Sequence, residues 1–181
     1  DTTHSAATAS GFLINTFVEP GTGLQFPDDD FKHSPQSSNP REQWMDFTPQ
    51  YKVEDTIIAF ELNHDFDDLT LTSLSGYHNS ELDAMNDYDF NVASQLWPVK
   101  VEMQRGPAGP ITVDRLYNVD RSTTEPEQWS EELRLASNYD GDWNFMLGGF
   151  YLTYESNDAY TIYSAAIELT GEVLGVPQAQ R

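Results

Sequence analysis

Carboxylates are the side chains this chain has in greatest supply for chemistry. Thirty Asp and Glu stand against nine Lys and Arg, the formal net charge is -21, and there is no cysteine. Three acidic groups, Asp28-Asp29-Asp30, Asp87-Tyr88-Asp89 and Asp140-Gly141-Asp142, could offer oxygens to calcium, which takes about six to eight of them. None follows the spacing of an EF-hand loop, and solvated loop and turn acids account for the same residues, so no metal site is assigned. The histidines His4, His33, His64 and His78 have no metal-ligand spacing. A nucleophile elbow, a P-loop and an H-E-x-x-H helix are all missing, and an acid–base carboxylate pair cannot be chosen without geometry. The expectation is therefore no enzyme and no cofactor. Recognition is the remaining chemistry. Trp97, Trp44, Tyr88 and Tyr117 lie in polar stretches beside Arg41, Arg105, Arg115 and Arg121, where they could contact a ligand from the outside medium or pack the loops against one another. Trp97 and Arg105 lead that group.

The composition limits the partners. A field of this sign repels nucleic acid and anionic membrane surfaces. Without cysteine neither a disulfide framework nor a Cys-ligated zinc site is possible. Aromatic residues make up 13% of the chain, too many for a disordered acidic polymer. No run approaches the roughly 20 apolar residues of a membrane helix, but a barrel strand needs only about 9–11 residues of alternating polarity.

Elements that could position these groups come from period-two alternation. Residues 51 to 66 place Ile58, Phe60 and Leu62 on one face and Ile57, Ala59, Glu61 and Asn63 on the other. An acidic turn at Asp67-Asp68 leads into a return strand, giving a hairpin over 55–82. A second hairpin spans 127–155. Its first limb separates Glu131, Leu133 and Leu135 from Glu132, Arg134 and Ala136, its turn is Asn138-Tyr139-Asp140-Gly141-Asp142, and its second limb, from Trp143, is aromatic on both faces. Tyr77, Trp129, Trp143, Tyr151 and Tyr154 fall near strand ends, as interfacial aromatics do. Residues 1–50, broken by Pro20, Pro27, Pro35, Pro40 and Pro49, read as a long loop in which Gly11 to Glu19 is apolar enough for a short strand or a packed segment. Residues 83–126 read as a second long loop and 156–181 as a tail or the start of another. Short turns alternating with long loops is the pattern of an outer-membrane barrel, with the turns periplasmic and the loops extracellular. A soluble sandwich with two such long loops would be unusual.

Ser130-Glu131-Glu132-Leu133-Arg134-Leu135-Ala136-Ser137, the turn after it, and Trp143-Asn144-Phe145-Met146-Leu147-Gly148-Gly149-Phe150-Tyr151 resemble a hairpin of the barrels of TonB-dependent outer-membrane receptors. Leu69-Thr70-Leu71-Thr72-Ser73-Leu74-Ser75-Gly76-Tyr77 is similar to that family's L-T-S-x-x-G-Y strand. The resemblance implies an all-β fold of antiparallel hairpins forming part of a transmembrane β-barrel in the bacterial outer membrane. It also implies import of a scarce nutrient, such as a ferric siderophore, a cobalamin or a glycan, in contact with outer-membrane lipid. The matching segments hold no plug and no TonB box, so a TonB complex as partner is implied only through a part not in this chain. Four strands cannot close a barrel, and the chain is expected to be a piece of a longer receptor. Glu132 and Arg134 would then face the lumen, bearing on substrate passage or pairing with neighbouring strands. The alternative from another class is a soluble secreted acidic β-domain binding carbohydrate or calcium.

Overall fold

The computed structural model describes residues 9–32, 34 and 37–177; His4 and His33 lie outside them. The fold is mostly antiparallel β, 49% strand against 16% helix, so the all-β class holds at that level. The strands are β1 (Gln50–Phe66), β2 (Leu69–Asp87), β3 (Val101–Met103), β4 (Ile111–Val113), β5 (Asn118–Ser137) and β6 (Met146–Ser164). Four of them form one sheet in the order β1-β2-β5-β6, while β3 and β4 pair as a separate antiparallel hairpin, Val101 opposite Val113. The large sheet does not close on itself; β1 and β6 are its edges. Its strands are 17 to 20 residues long, against roughly five or six in an ordinary soluble domain. Among the described residues no helix is long and apolar enough to cross a membrane, which says nothing of strands.

The chain divides into two compact units. One, residues 51–83 and 122–159, is the greater part of the four long strands. The turn between β1 and β2 is two residues long. Asp67 takes a positive φ of 49° there, which Asp tolerates better than most residues. In the turn between β5 and β6 no residue of 138–142 has a positive φ, although Asn, Asp and Gly there would tolerate one. Instead the Asn144 carboxamide ties it, accepting the Tyr139 N–H at 2.7 Å and donating to the Tyr139 carbonyl at 3.1 Å.

The other unit, residues 1–50, 84–121 and 160–181, carries a conventional core of Ile14, Val18, Met85, Trp97, Val101, Met103, Leu116, Val119, Ala165 and Leu169. It corrects three expectations. Residues 9–22 are helical, not a loop; this is α1. Ile14 and Val18, four apart, bury one stripe, and the wider π-helical turn Ile14–Val18 ends two residues before Pro20, which has no N–H to give and crowds the carbonyl four residues back. Gly23, at φ 72°, ends the helix and returns its N–H to Glu19. The stretch 83–126 is not one loop: β2 runs on to Asp87, β5 begins at Asn118, and β3 and β4 lie between. The segment from 156, expected as a tail or the start of another loop, is ordered through its described residues to 177: β6 reaches Ser164 and is followed by helix α2 (Ala165–Val173).

Candidate functional site

Cross-strand contacts fix the faces of the strand unit. The Thr72 and Thr70 hydroxyls donate to Asn63 and Asp65 across β1–β2. The Ser73 and Ser75 hydroxyls donate to the Glu131 carboxylate, and Tyr77 packs against Trp129 with ring centroids 4.4 Å apart across β2–β5. A Cβ on Gly148 would meet the Arg134 side chain across β5–β6. With side chains alternating along each strand, one face then carries Ile58, Phe60, Leu62, Leu69, Leu71, Leu133, Leu135, Phe145 and Leu147. The opposite face carries Glu61, Asn63, Asp65, Glu132 and Arg134. On the first face the apolar band begins at the two turns and ends at the Tyr77–Trp129 pair. On β2 that is nine residues, Leu69 to Tyr77, or about 27 Å along the strand.

The separation is incomplete: Ile57 and Leu74 fall on the face of Glu61, Ser73 and Ser75 fall within the apolar band, and two further departures stand out. Glu131 lies within the apolar band, one pair from Tyr77–Trp129, its carboxylate held by two serines. Edge strand β6 exposes apolar residues on both faces, with Met146, Phe150 and Leu152 on the side of Arg134. That same side has a shallow depression of about 420 Å³ lined by Glu61, Gly76, Ser130, Glu132 and Phe150, where a Cβ on Gly76 would approach Ser130 Oγ to 2.7 Å. Glu132 and Arg134 sit together, Nε to Oε1 2.8 Å, as an ion pair without the alignment of a hydrogen bond. They pair with each other along β5, where the sequence left pairing to neighbouring strands.

The loop residues singled out for ligand contact have definite places in the other unit. Trp97 is buried; its indole donates to Asp30 Oδ1 at 2.7 Å and meets the Phe26 ring edge-on. Burial pushes the Asp30 carboxyl above its usual range, against the lowering effect of that hydrogen bond. Arg105 donates to the Gly109 and Ala108 carbonyls and to the Tyr117 hydroxyl, and lies 5.9 Å from the centroid of the Tyr117 ring. Tyr117 is itself buried. Three of the five loop candidates thus act as packing and as ties for the loops. Tyr88 holds its backbone N–H on the Asn118 carbonyl, and Trp44 stays half exposed. Comparison with family models, curated proteins and solved structures finds no match. The residues themselves therefore carry the functional argument.

One grouping was only partly visible in sequence. Asp87 and Asp89 were marked as possible cation ligands, but Asp46, 41 residues before Asp87, carries no local signal of joining them. Its backbone N–H donates to Asp87 Oδ2 at 3.2 Å. Asp87 and Asp89 are fully buried, and Asp89 Oδ2 accepts from Asn118 Nδ2 at 2.9 Å. Burial, with the charge of Asp87, raises the Asp89 pKa to about 8; burial, again with Asp87, raises that of Asp46 to about 7; burial raises Asp87 too. Among the described residues no group of three or more His, Asp and Glu is arranged to hold a metal ion.

Proposed function

We propose that this chain is part of the wall of a transmembrane β-barrel in the bacterial outer membrane, of the kind used by TonB-dependent receptors to import a scarce nutrient such as a ferric siderophore, a cobalamin or a glycan. The observation that carries the reading is the segregation of the strand faces. A band rich in aliphatic and aromatic side chains, nine residues long on β2 with a Tyr–Trp pair at one margin, matches a tilted membrane strand in length and edge chemistry. The carboxylates and amides of the opposite face suit an aqueous lumen. Strands with both backbone edges unsatisfied need further strands beside them, because an unpaired backbone group in hydrocarbon costs several kcal/mol. The short turns at 66–68 and 138–142 mark the periplasmic side, and the long connections the side on which nutrient is met.

Trp44 and Tyr88 are the loop aromatics left for ligand contact, since Trp97, Arg105 and Tyr117 are engaged with their own loops. Membrane fractionation of the receptor that contains this segment tests the reading: it should remain in the outer membrane through salt and carbonate washes and be released only by detergent. Recovery in the soluble fraction would instead support the secreted acidic β-domain.

A further inference from the structure

A polar group on a surface that meets hydrocarbon must find its partners there, and a charged one must also find an opposite charge. Among the side chains of the apolar band Glu131 alone is acidic. It stands between Trp129 and Leu133 on that face of β5. Two hydroxyls of β2 donate to it, Ser73 Oγ to Oε1 at 2.8 Å and Ser75 Oγ to Oε2. One donor on each oxygen suits a carboxylate in its ionised form. The three side chains make a polar island whose hydrogen bonds close on themselves and whose charge does not.

The strand unit has little to neutralise it. Residues 51–83 and 122–159 contain two basic residues, Lys52 and Arg134. Lys52 Nζ holds Glu54 at 2.6 Å, and Arg134 lies on the opposite face beside Glu132. His64, on the same face as Glu131, packs against Phe66 at the turn end of the band, ring centroids 4.3 Å apart. What does lie next to the island is aromatic. The Tyr77–Trp129 pair is one residue pair further from the turns; Trp129 is half exposed, and its indole N–H donates to Glu127 Oε1 at 3.0 Å. Two carboxylates thus flank two electron-rich rings. That combination recognises an ammonium group, since a carboxylate takes up its charge and N–H donors while a ring face attracts the cation.

The position of the site says what carries the ammonium. Tyr and Trp at the margin of an apolar band lie at the level of lipid headgroups, and a net charge of -21 turns away headgroups that are anionic. We propose that Glu131, with the Tyr77–Trp129 pair, docks the ammonium group of an amine-bearing lipid headgroup at the margin of the apolar face. The site rests on the reading of that face as lipid-facing. The headgroup supplies the charge that the island lacks, and Glu131 lies only about 7 Å along the strand from the aromatic margin.

Spin-labelled phospholipids test the site in the receptor that contains this segment, reconstituted in phosphatidylcholine vesicles. Lipid touching a membrane-spanning surface is motionally restricted, and the restricted fraction of each probe gives its relative affinity. The phosphatidylethanolamine probe, which has a primary ammonium, should exceed the phosphatidylglycerol probe, which has none, by roughly three- to fivefold. Glu131→Gln should lower that ratio by about twofold or more, whereas Asp65→Asn, which removes the same charge from the opposite face, should leave it unchanged. Restricted lipid without the preference, or a preference unaltered in Glu131→Gln, overturns the docking site and leaves the barrel reading standing. No restricted lipid with either probe overturns both. The preference of the unsubstituted protein is decisive by itself, so a folding defect in a variant does not shelter the proposal.

Discussion

Trp97 and Leu133 show how differently two exposed-looking sequence positions behave. Trp97, in a stretch that reads as polar loop, is a core residue with its only polar atom satisfied by Asp30. Trp97→Ala should therefore cost about 3–5 kcal/mol of the stability of its unit, measurable by denaturant unfolding followed through the remaining tryptophans. A mere surface contact would lose far less. Leu133 is the reverse case, an aliphatic side chain half exposed in mid-strand. Leu133→Lys should destabilise a membrane-embedded barrel by about 2–4 kcal/mol, read by urea-dependent refolding into lipid. Arg134→Gln should cost much less, since its partner Glu132 keeps access to water. At this scale the strand faces were legible in sequence because alternation is a local property. The fates of Trp97, Arg105 and Tyr117 were not, because Asp30 lies 67 residues from Trp97 and no local pattern says which loop aromatic will find such a partner.

The four long strands were located from alternation and turns, but their ends were not. β5 begins at Asn118, inside the stretch that reads as polar loop, and passes through Pro126, although proline removes a ladder hydrogen bond. Pairing on both sides of β5 outweighs that one lost bond. The helix at 9–22 was hidden for a similar reason: Pro20 reads as a breaker, yet a widened turn just before it makes room. Gly148 is a position where the elements demand the residue they have. A Cβ there would come within 3.0 Å of the Leu133 carbonyl and 3.1 Å of Arg134 Cγ, so Gly148→Val should push β6 off β5 and expose the β5–β6 amides to faster hydrogen exchange. Unchanged protection there would mean that the two strands lie further apart than described.

As a molecule, the chain pairs one unit having a packed core with another whose sheet leaves large apolar side chains uncovered and both edge strands open. A sheet in that state is an aggregation surface in water. The isolated 181-residue chain should not sediment as a monodisperse monomer in plain buffer, and a cooperatively melting monomer would speak for a soluble domain. The decisive measurement places one cysteine-linked spin label at a time along β1 and β5, which hold no cysteine of their own, in the proposed barrel in lipid. Accessibility to oxygen, which concentrates in hydrocarbon, should be high for labels at Phe60, Leu62 and Leu133, while a water-soluble nickel reagent should reach those at Glu61, Asn63 and Glu132, giving a two-residue alternation. Equal access of the nickel reagent to both sets would place the apolar band in water and contradict the account.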